Sequence, residues 1–172
     1  MIQLILGGAR SGKSRYAEQL AINTHKPVLY IATATASDAE MAARIAHHQQ
    51  QRPSEWQVRE CSLDLVTVLK EEVQKPQTIL VDCLTLWLNN QLFHFPKQDF
   101  SALFDSLAET IKFPTADIIF VANEVGLGII PLGEISRTFV DEAGRLNQKI
   151  SQVADSVFFI AAGLPLQLKG SN

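Results

Sequence analysis

Five short apolar runs recur along the chain at residues 2–6 (IQLIL), 28–32 (VLYIA), 78–82 (TILVD), 118–122 (IIFVA) and 157–161 (VFFIA). Each is rich in β-branched or aromatic residues, and none alternates with polar positions, as expected of strands covered on both faces. Between them, residues 14–23, 37–51, 62–73, 98–112 and 134–153 repeat apolar positions at helical spacing. Amphipathic helices of that kind cover a sheet on both sides. The alternation predicts an α/β fold with a mostly parallel central sheet. Residues 56–60 form a further candidate strand, and residues 166–169 another at the C-terminal edge. Prolines at 53, 76, 96, 114 and 131 fall between these elements, where a missing amide donor does least harm.

The 172 residues form no internal repeat and contain no linker-like stretch, so one domain spanning 1–172 is expected. A hydrophobic fraction of 47% with 19% charged residues excludes disorder and a coiled coil. The net charge of -3, with no Lys/Arg cluster, removes the bulk electrostatic case for nucleic acid. No run reaches membrane-spanning length, and the opening one is too short for a signal-peptide core, so a cytoplasmic location is expected. Cys61 and Cys83 lack the spacing of a zinc site or a disulfide framework.

The first candidate chemistry is Gly7-Gly8-Ala9-Arg10-Ser11-Gly12-Lys13-Ser14, which fits G-x-x-x-x-G-K-[ST] directly after one strand and before a helix. Glycines let successive amides curl inward around phosphate oxygens, and the helix adds the positive end of its dipole. In this P-loop Lys13 reaches the β- and γ-phosphates, and Ser14 offers a hard oxygen to Mg²⁺. A Mg-nucleotide is implied, and with it a P-loop nucleotide hydrolase-like fold.

Asp82 ends an apolar strand. The position is that of a second oxygen ligand for Mg²⁺ or its water, a reading the P-loop favours; the alternative is the N-cap of a helix starting near Leu84. Asn123 and Glu124 leave another strand at the edge where α/β sheets bind ligands. Gly126 and Gly128 after them allow close approach to a ligand or a tight turn. In the 37–51 segment Glu40, Arg44 and His47 or His48 recur on one side. Adjacent histidines diverge by about 100° on a helix and do not share one metal ion, which leaves a nucleophile, a phosphate contact or a solvated face. An imidazole can attack phosphorus to form a phosphoramidate that a second acceptor opens.

Together these blocks resemble one family, the bifunctional adenosylcobinamide kinase / adenosylcobinamide-phosphate guanylyltransferases of cobalamin biosynthesis. The resemblance rests on the P-loop with Arg15, on Leu29-Tyr30-Ile31-Ala32-Thr33, and on Asp38 with Glu40-Met41-Ala42-Ala43-Arg44-Ile45 running into His47-His48 and Arg52-Pro53. It continues through Trp56, Glu60-Cys61, Asp82-Cys83-Leu84-Thr85, Asn123-Glu124-Val125-Gly126-Leu127-Gly128-Ile129-Ile130-Pro131 and Asp141-Glu142-Ala143-Gly144-Arg145-Leu146-Asn147-Gln148. Nearly the whole chain is covered; the stretch 89–114 carries no matching motif.

The resemblance implies phosphorylation of the adenosylcobinamide hydroxyl by ATP or GTP. Transfer of GMP from GTP then yields adenosyl-GDP-cobinamide and pyrophosphate. It implies that His47 is the guanylylated residue, with Lys13 as its catalytic companion. It also implies that Thr33, Ala34, Thr35, Gln50, Gln51, Arg52, Pro53, Glu60 and Asp82 join the P-loop in the nucleotide site, with Ser14 and Asp82 on the metal. A homotrimer is implied as well. Two other readings fit the P-loop alone: a kinase of another small hydroxyl compound, and a nucleotide-gated binding module.

Overall fold

A computed structural model of the protein describes residues 1–34, 53–129 and 131–170. The expected 37–51 helix lies outside the described residues, as do Thr35, His47, Gln50, Gln51 and Arg52. Seven strands build one sheet: β1 (Ile2–Gly7), β2 (Val28–Ala32), β3 (Gln57–Glu60), β4 (Thr78–Asp82), β5 (Asp117–Asn123), β6 (Ser156–Ala161) and β7 (Leu164–Lys169). Their order across the sheet is β3-β2-β4-β5-β1-β6-β7. Every neighbouring pair is parallel except β6 with β7, a terminal hairpin. The helices are α1 (Lys13–Asn23), α2 (Leu65–Glu72), α3 (Leu84–His94), α4 (Phe100–Thr110) and α5 (Glu134–Val153).

The unbroken apolar runs are explained by their two faces. Leu4 and Leu6, Leu29 and Ile31, Ile79 and Val81, and Ile118 and Phe120 point into one core with residues of α2 to α5. Ile5, Tyr30, Leu80, Ile119 and Val121 point the other way, against Ala17 and Ala21 of α1 and against Trp56. Successive strand residues face opposite sides, so both sets must be apolar when both sides are covered.

The helix α3 was foreshadowed only by its start near Leu84, and the reason is physical. It buries Asn90 and Gln91 as well as Leu84, Trp87 and Leu88, which blurs the apolar stripe. The polar pair is buried as hydrogen-bond donors. Asn90 donates to the Thr33 and Ser62 carbonyls at 2.9 and 3.1 Å, and Gln91 donates to the Leu63 carbonyl at 2.7 Å. Trp87, fully buried, donates its indole N–H to the same Leu63 carbonyl at 2.8 Å. Trp87→Ala is expected to cost about 3–5 kcal/mol, by cavity formation and a lost partner for that carbonyl. Denaturant unfolding monitored by circular dichroism measures it; a loss below about 1 kcal/mol would show that the site collapses to fill the gap.

The chain leaves β1 toward β2 on the α1 face, but leaves β5 toward β6 on the α5 face, and β1 and β5 are neighbours. Connections that depart in opposite directions from adjacent strands open a crevice at the carboxyl ends. The loops following β1 and β5 border it.

Candidate active site

The loop between β1 and α1 is shaped by backbone geometry that its residues permit. Gly12 sits at φ 95° immediately before α1, in the left-handed region where a side chain is strained. Arg10 also adopts positive φ, 56°, with its side chain exposed. The Ser11 amide donates to the Gly8 carbonyl at 3.3 Å, and Tyr16 N–H donates to the Gly12 carbonyl at 3.0 Å to open the helix. A side chain on Gly7 would meet Ser11 Oγ at 2.5 Å and the Ile160 carbonyl oxygen at 2.7 Å. Gly7→Ala therefore forces the loop off β6, and overpacking of this kind costs about 1–3 kcal/mol. Thermal unfolding should record that loss together with weaker nucleotide binding; a variant matching the parent in both would refute the close approach as a constraint.

Lys13, at the first position of α1, donates from its ammonium to the Gly8 carbonyl at 3.2 Å and so lies folded over the loop. Burial pushes the Lys13 pKa below its ordinary value, and negative charge at Cys83 and Asp82 opposes that shift. Burial, reinforced by Asp82, pushes the Cys83 thiol up to about 11, which keeps that thiol protonated at neutral pH. Lys13 and Asp82 thus face one another electrostatically although 69 positions separate them, as 82 less 13.

Asp82 is the last residue of β4, and Cys83, in extended conformation, occupies the N-cap of α3 without a side-chain cap. The carboxylate instead accepts a hydrogen bond from the Tyr30 hydroxyl at 2.9 Å. Of the two roles open to Asp82 in the sequence, the capping one is therefore excluded. Ser14 is half-buried in the first turn of α1. A hydroxyl and a carboxylate are hard oxygen donors of the kind Mg²⁺ selects, so the donor set fits that ion.

On the other flank, Asn123 is the register partner of Gly7, and the Glu124 amide donates to the Gly7 carbonyl at 3.1 Å. The backbone of Asn123 is held twice more: its N–H donates to Thr85 Oγ1 at 2.7 Å, and its carbonyl accepts from Asn147 Nδ2 at 3.3 Å. Asn147 belongs to the 141–148 block, which therefore reaches the site through α5. Ser11 Oγ and Asn123 Oδ1 are buried without a hydrogen-bond partner among the described residues. An orphaned hydroxyl in the loop and an orphaned amide oxygen beside it mark polar groups that a bound ligand can satisfy.

Not every expected site residue gathers here. Strands lie about 4.8 Å apart, which places Asp82 about 10 Å, Thr33 and Ala34 about 14 Å and Glu60 about 19 Å across the carboxyl edge from β1. Thr33 is fully buried, and its hydroxyl is spent on Cys83, donating to the carbonyl at 2.7 Å and accepting from the amide at 2.8 Å. Glu60 is exposed at the end of β3, and Pro53 is half-buried, its carbonyl accepting from Trp56 N–H at 3.2 Å.

Two contributors escaped the sequence reading. Gly163, in the β6–β7 turn, donates its amide to the Ser11 carbonyl at 2.8 Å and packs where Gly12 has no side chain. Tyr30, which the sequence offers as a strand residue and as part of the 29–33 block of the family resemblance but with no role of its own, holds Asp82. The glycine between two apolar strands signalled a turn but not its neighbour; nothing local signalled the tyrosine.

Solved structures of similar shape show the fold. The flagellar accessory protein FlaH of Methanocaldococcus jannaschii superposes with a TM-score of 0.55 at 14% identity, covering 99% of this chain and 78% of that one. A Pyrococcus horikoshii protein gives 0.58 at 11% identity, covering 99% and 87%. The sequence is more specific. It is 49% identical over 170 residues to the bifunctional adenosylcobalamin biosynthesis protein CobP of Pseudomonas aeruginosa, covering 99% of this chain and 98% of the relative. It is 39% identical to CobU of Salmonella typhimurium, covering 98% of this chain and all of the relative, and 37% identical to CobU of Escherichia coli at the same coverage. With residues 3–168 matching the family model as well, the chain belongs to the cobinamide kinase / cobinamide phosphate guanyltransferase family.

Proposed function

We propose that one phosphate-binding loop, Gly7 to Ser14, serves both reactions of this bifunctional transferase of adenosylcobalamin biosynthesis. In the first, the hydroxyl of adenosylcobinamide takes the terminal phosphoryl group of ATP or GTP. In the second, a nitrogen of His47 attacks the α-phosphorus of GTP: a P–N bond forms, and the bond to pyrophosphate breaks. An oxygen of adenosylcobinamide phosphate then attacks the same phosphorus, the P–N bond breaks, and adenosyl-GDP-cobinamide leaves with histidine restored.

The observation that carries this reading is the loop itself, with Gly12 in the left-handed region, Lys13 folded over the Gly8 carbonyl, and Asp82 close enough to act on the Lys13 charge. Phosphoryl transfer asks mainly for positioning and charge neutralisation, and main-chain amides, an ammonium and a helix N-terminus supply both. Ser14 and Asp82 would hold Mg²⁺, which neutralises phosphate charge when bound. Thr33, Ala34, Thr35, Gln50, Gln51, Arg52, Pro53 and Glu60 would complete the nucleotide site further along the carboxyl edge. For Thr33 that leaves a supporting part, since its hydroxyl is committed to Cys83, its amide to the Asp82 carbonyl and its carbonyl to Asn90.

The reading also makes the protein a cytoplasmic homotrimer, which light scattering of the purified protein checks. Among the described residues no helix is long and apolar enough to cross a membrane. The decisive experiment is intact-mass spectrometry after incubation with GTP. One added GMP, mapped to the peptide containing His47, is expected; an unmodified protein that still forms adenosyl-GDP-cobinamide would exclude the covalent route.

A further inference from the structure

Tyr30 is a nearly buried side chain, 2% exposed, whose only polar group points at the site. It lies on β2, next to β4, on the sheet face that α1 covers. Its ring stacks on Trp56, with centroids 6.3 Å apart and planes 28° from parallel. Trp56 is itself buried, just before β3. The stack fixes the phenol, and the phenol reaches the Asp82 carboxylate through a 2.9 Å hydrogen bond to Oδ2.

The terminal torsion of an aspartate is soft, and a carboxylate ending a strand can turn through a wide range. A hydrogen bond from a rigid donor selects one orientation. It also occupies one oxygen and leaves the other, Oδ1, for a second partner. Partners behind a metal ligand matter for affinity because they fix its orientation before the ion arrives. Resting on the reading of Asp82 as a Mg²⁺-side ligand, we propose that Tyr30 is a positioning residue for the metal, acting through Asp82 and braced by Trp56. The chain Trp56–Tyr30–Asp82 thereby links the start of β3, by way of β2, to the carboxylate at the end of β4.

Tyr30→Phe tests this, because it keeps the ring and removes only the hydroxyl. The probe is Mn²⁺, followed by electron paramagnetic resonance as it binds the complex of the full chain with a non-hydrolysable GTP analogue. Tyr30→Phe should weaken Mn²⁺ binding about 10-fold to 100-fold, the range seen when a group behind a metal ligand is removed. Nucleotide affinity measured in EDTA should stay at the parent value. Added to Asp82→Asn, the same change should have no further effect on Mn²⁺, since the two act as a unit. Parent-like Mn²⁺ affinity in Tyr30→Phe overturns the inference. So does an equal loss in EDTA, which marks general loosening, and so does a full additional loss in the Asp82→Asn background. If Asp82→Asn alone binds Mn²⁺ as the parent does, the metal role of Asp82 fails and the inference falls with it.

Discussion

Lys13→Ala should reduce kcat/KM of both the kinase and the guanylyltransferase reactions by about 10²–10³-fold, while the protein remains folded. The fold survives because, among the described residues, the ammonium makes one hydrogen bond, to the Gly8 carbonyl, and Lys13 belongs to neither core. The activity falls because this is the cation folded over the loop, held where burial has already removed part of its water. A charge that is desolvated before the ligand arrives needs little reorganisation when phosphate charge develops. Lys13→Arg should recover little, since a planar fork does not replace a compact ammonium at the same depth. Steady-state kinetics of each half-reaction, with circular dichroism as the folding control, provides the measurement. A loss below about tenfold in both would remove Lys13 from the chemistry, because one phosphate-directed charge is worth more than that.

His47→Ala should have the opposite profile, selective where Lys13→Ala is general. Labelled GTP should leave no GMP on the variant, and formation of adenosyl-GDP-cobinamide should stop. Phosphorylation of adenosylcobinamide should persist in part, because direct transfer to a hydroxyl needs no covalent enzyme intermediate. The bond to be tested is a phosphoramidate, labile to acid and stable to base, so the label's chemistry reports its attachment as well as its presence. Labelling of His47→Ala at the parent rate would assign the nucleophile elsewhere, with the neighbouring His48 as the first alternative.

The strands show how much was legible beforehand. Residues 28–32 and 78–82 are strands with those bounds, and 2–6, 118–122 and 157–161 needed only one or two flanking residues. Their runs were readable because a strand buried on both faces has no polar position to confuse the period. The 134–153 helix was equally clear, since one side meets the core and the other meets water. By contrast α3 has buried amides where a stripe model expects apolar groups, and only its contacts with Thr33, Ser62 and Leu63 explain them. The P-loop was legible for a different reason. Its function depends on backbone torsions and one lysine at fixed spacing, and both are local properties.

What the sequence determined by itself is therefore local: the two-sided strands, the glycines that permit the loop, and the lysine and serine that begin α1. These follow from torsional freedom and from periodicity over a few residues. The tertiary structure alone decided which distant groups meet. Asp82 is bonded to Tyr30, 52 positions away, and is not the cap of the next helix. Asn123 lies against Gly7, 116 positions apart as 123 less 7, and Gly163 closes on Ser11, 152 apart as 163 less 11. Such pairings depend on strand order and on the direction in which each connection leaves the sheet. Strand order is set by the simultaneous packing of two cores, to which no single segment holds the key.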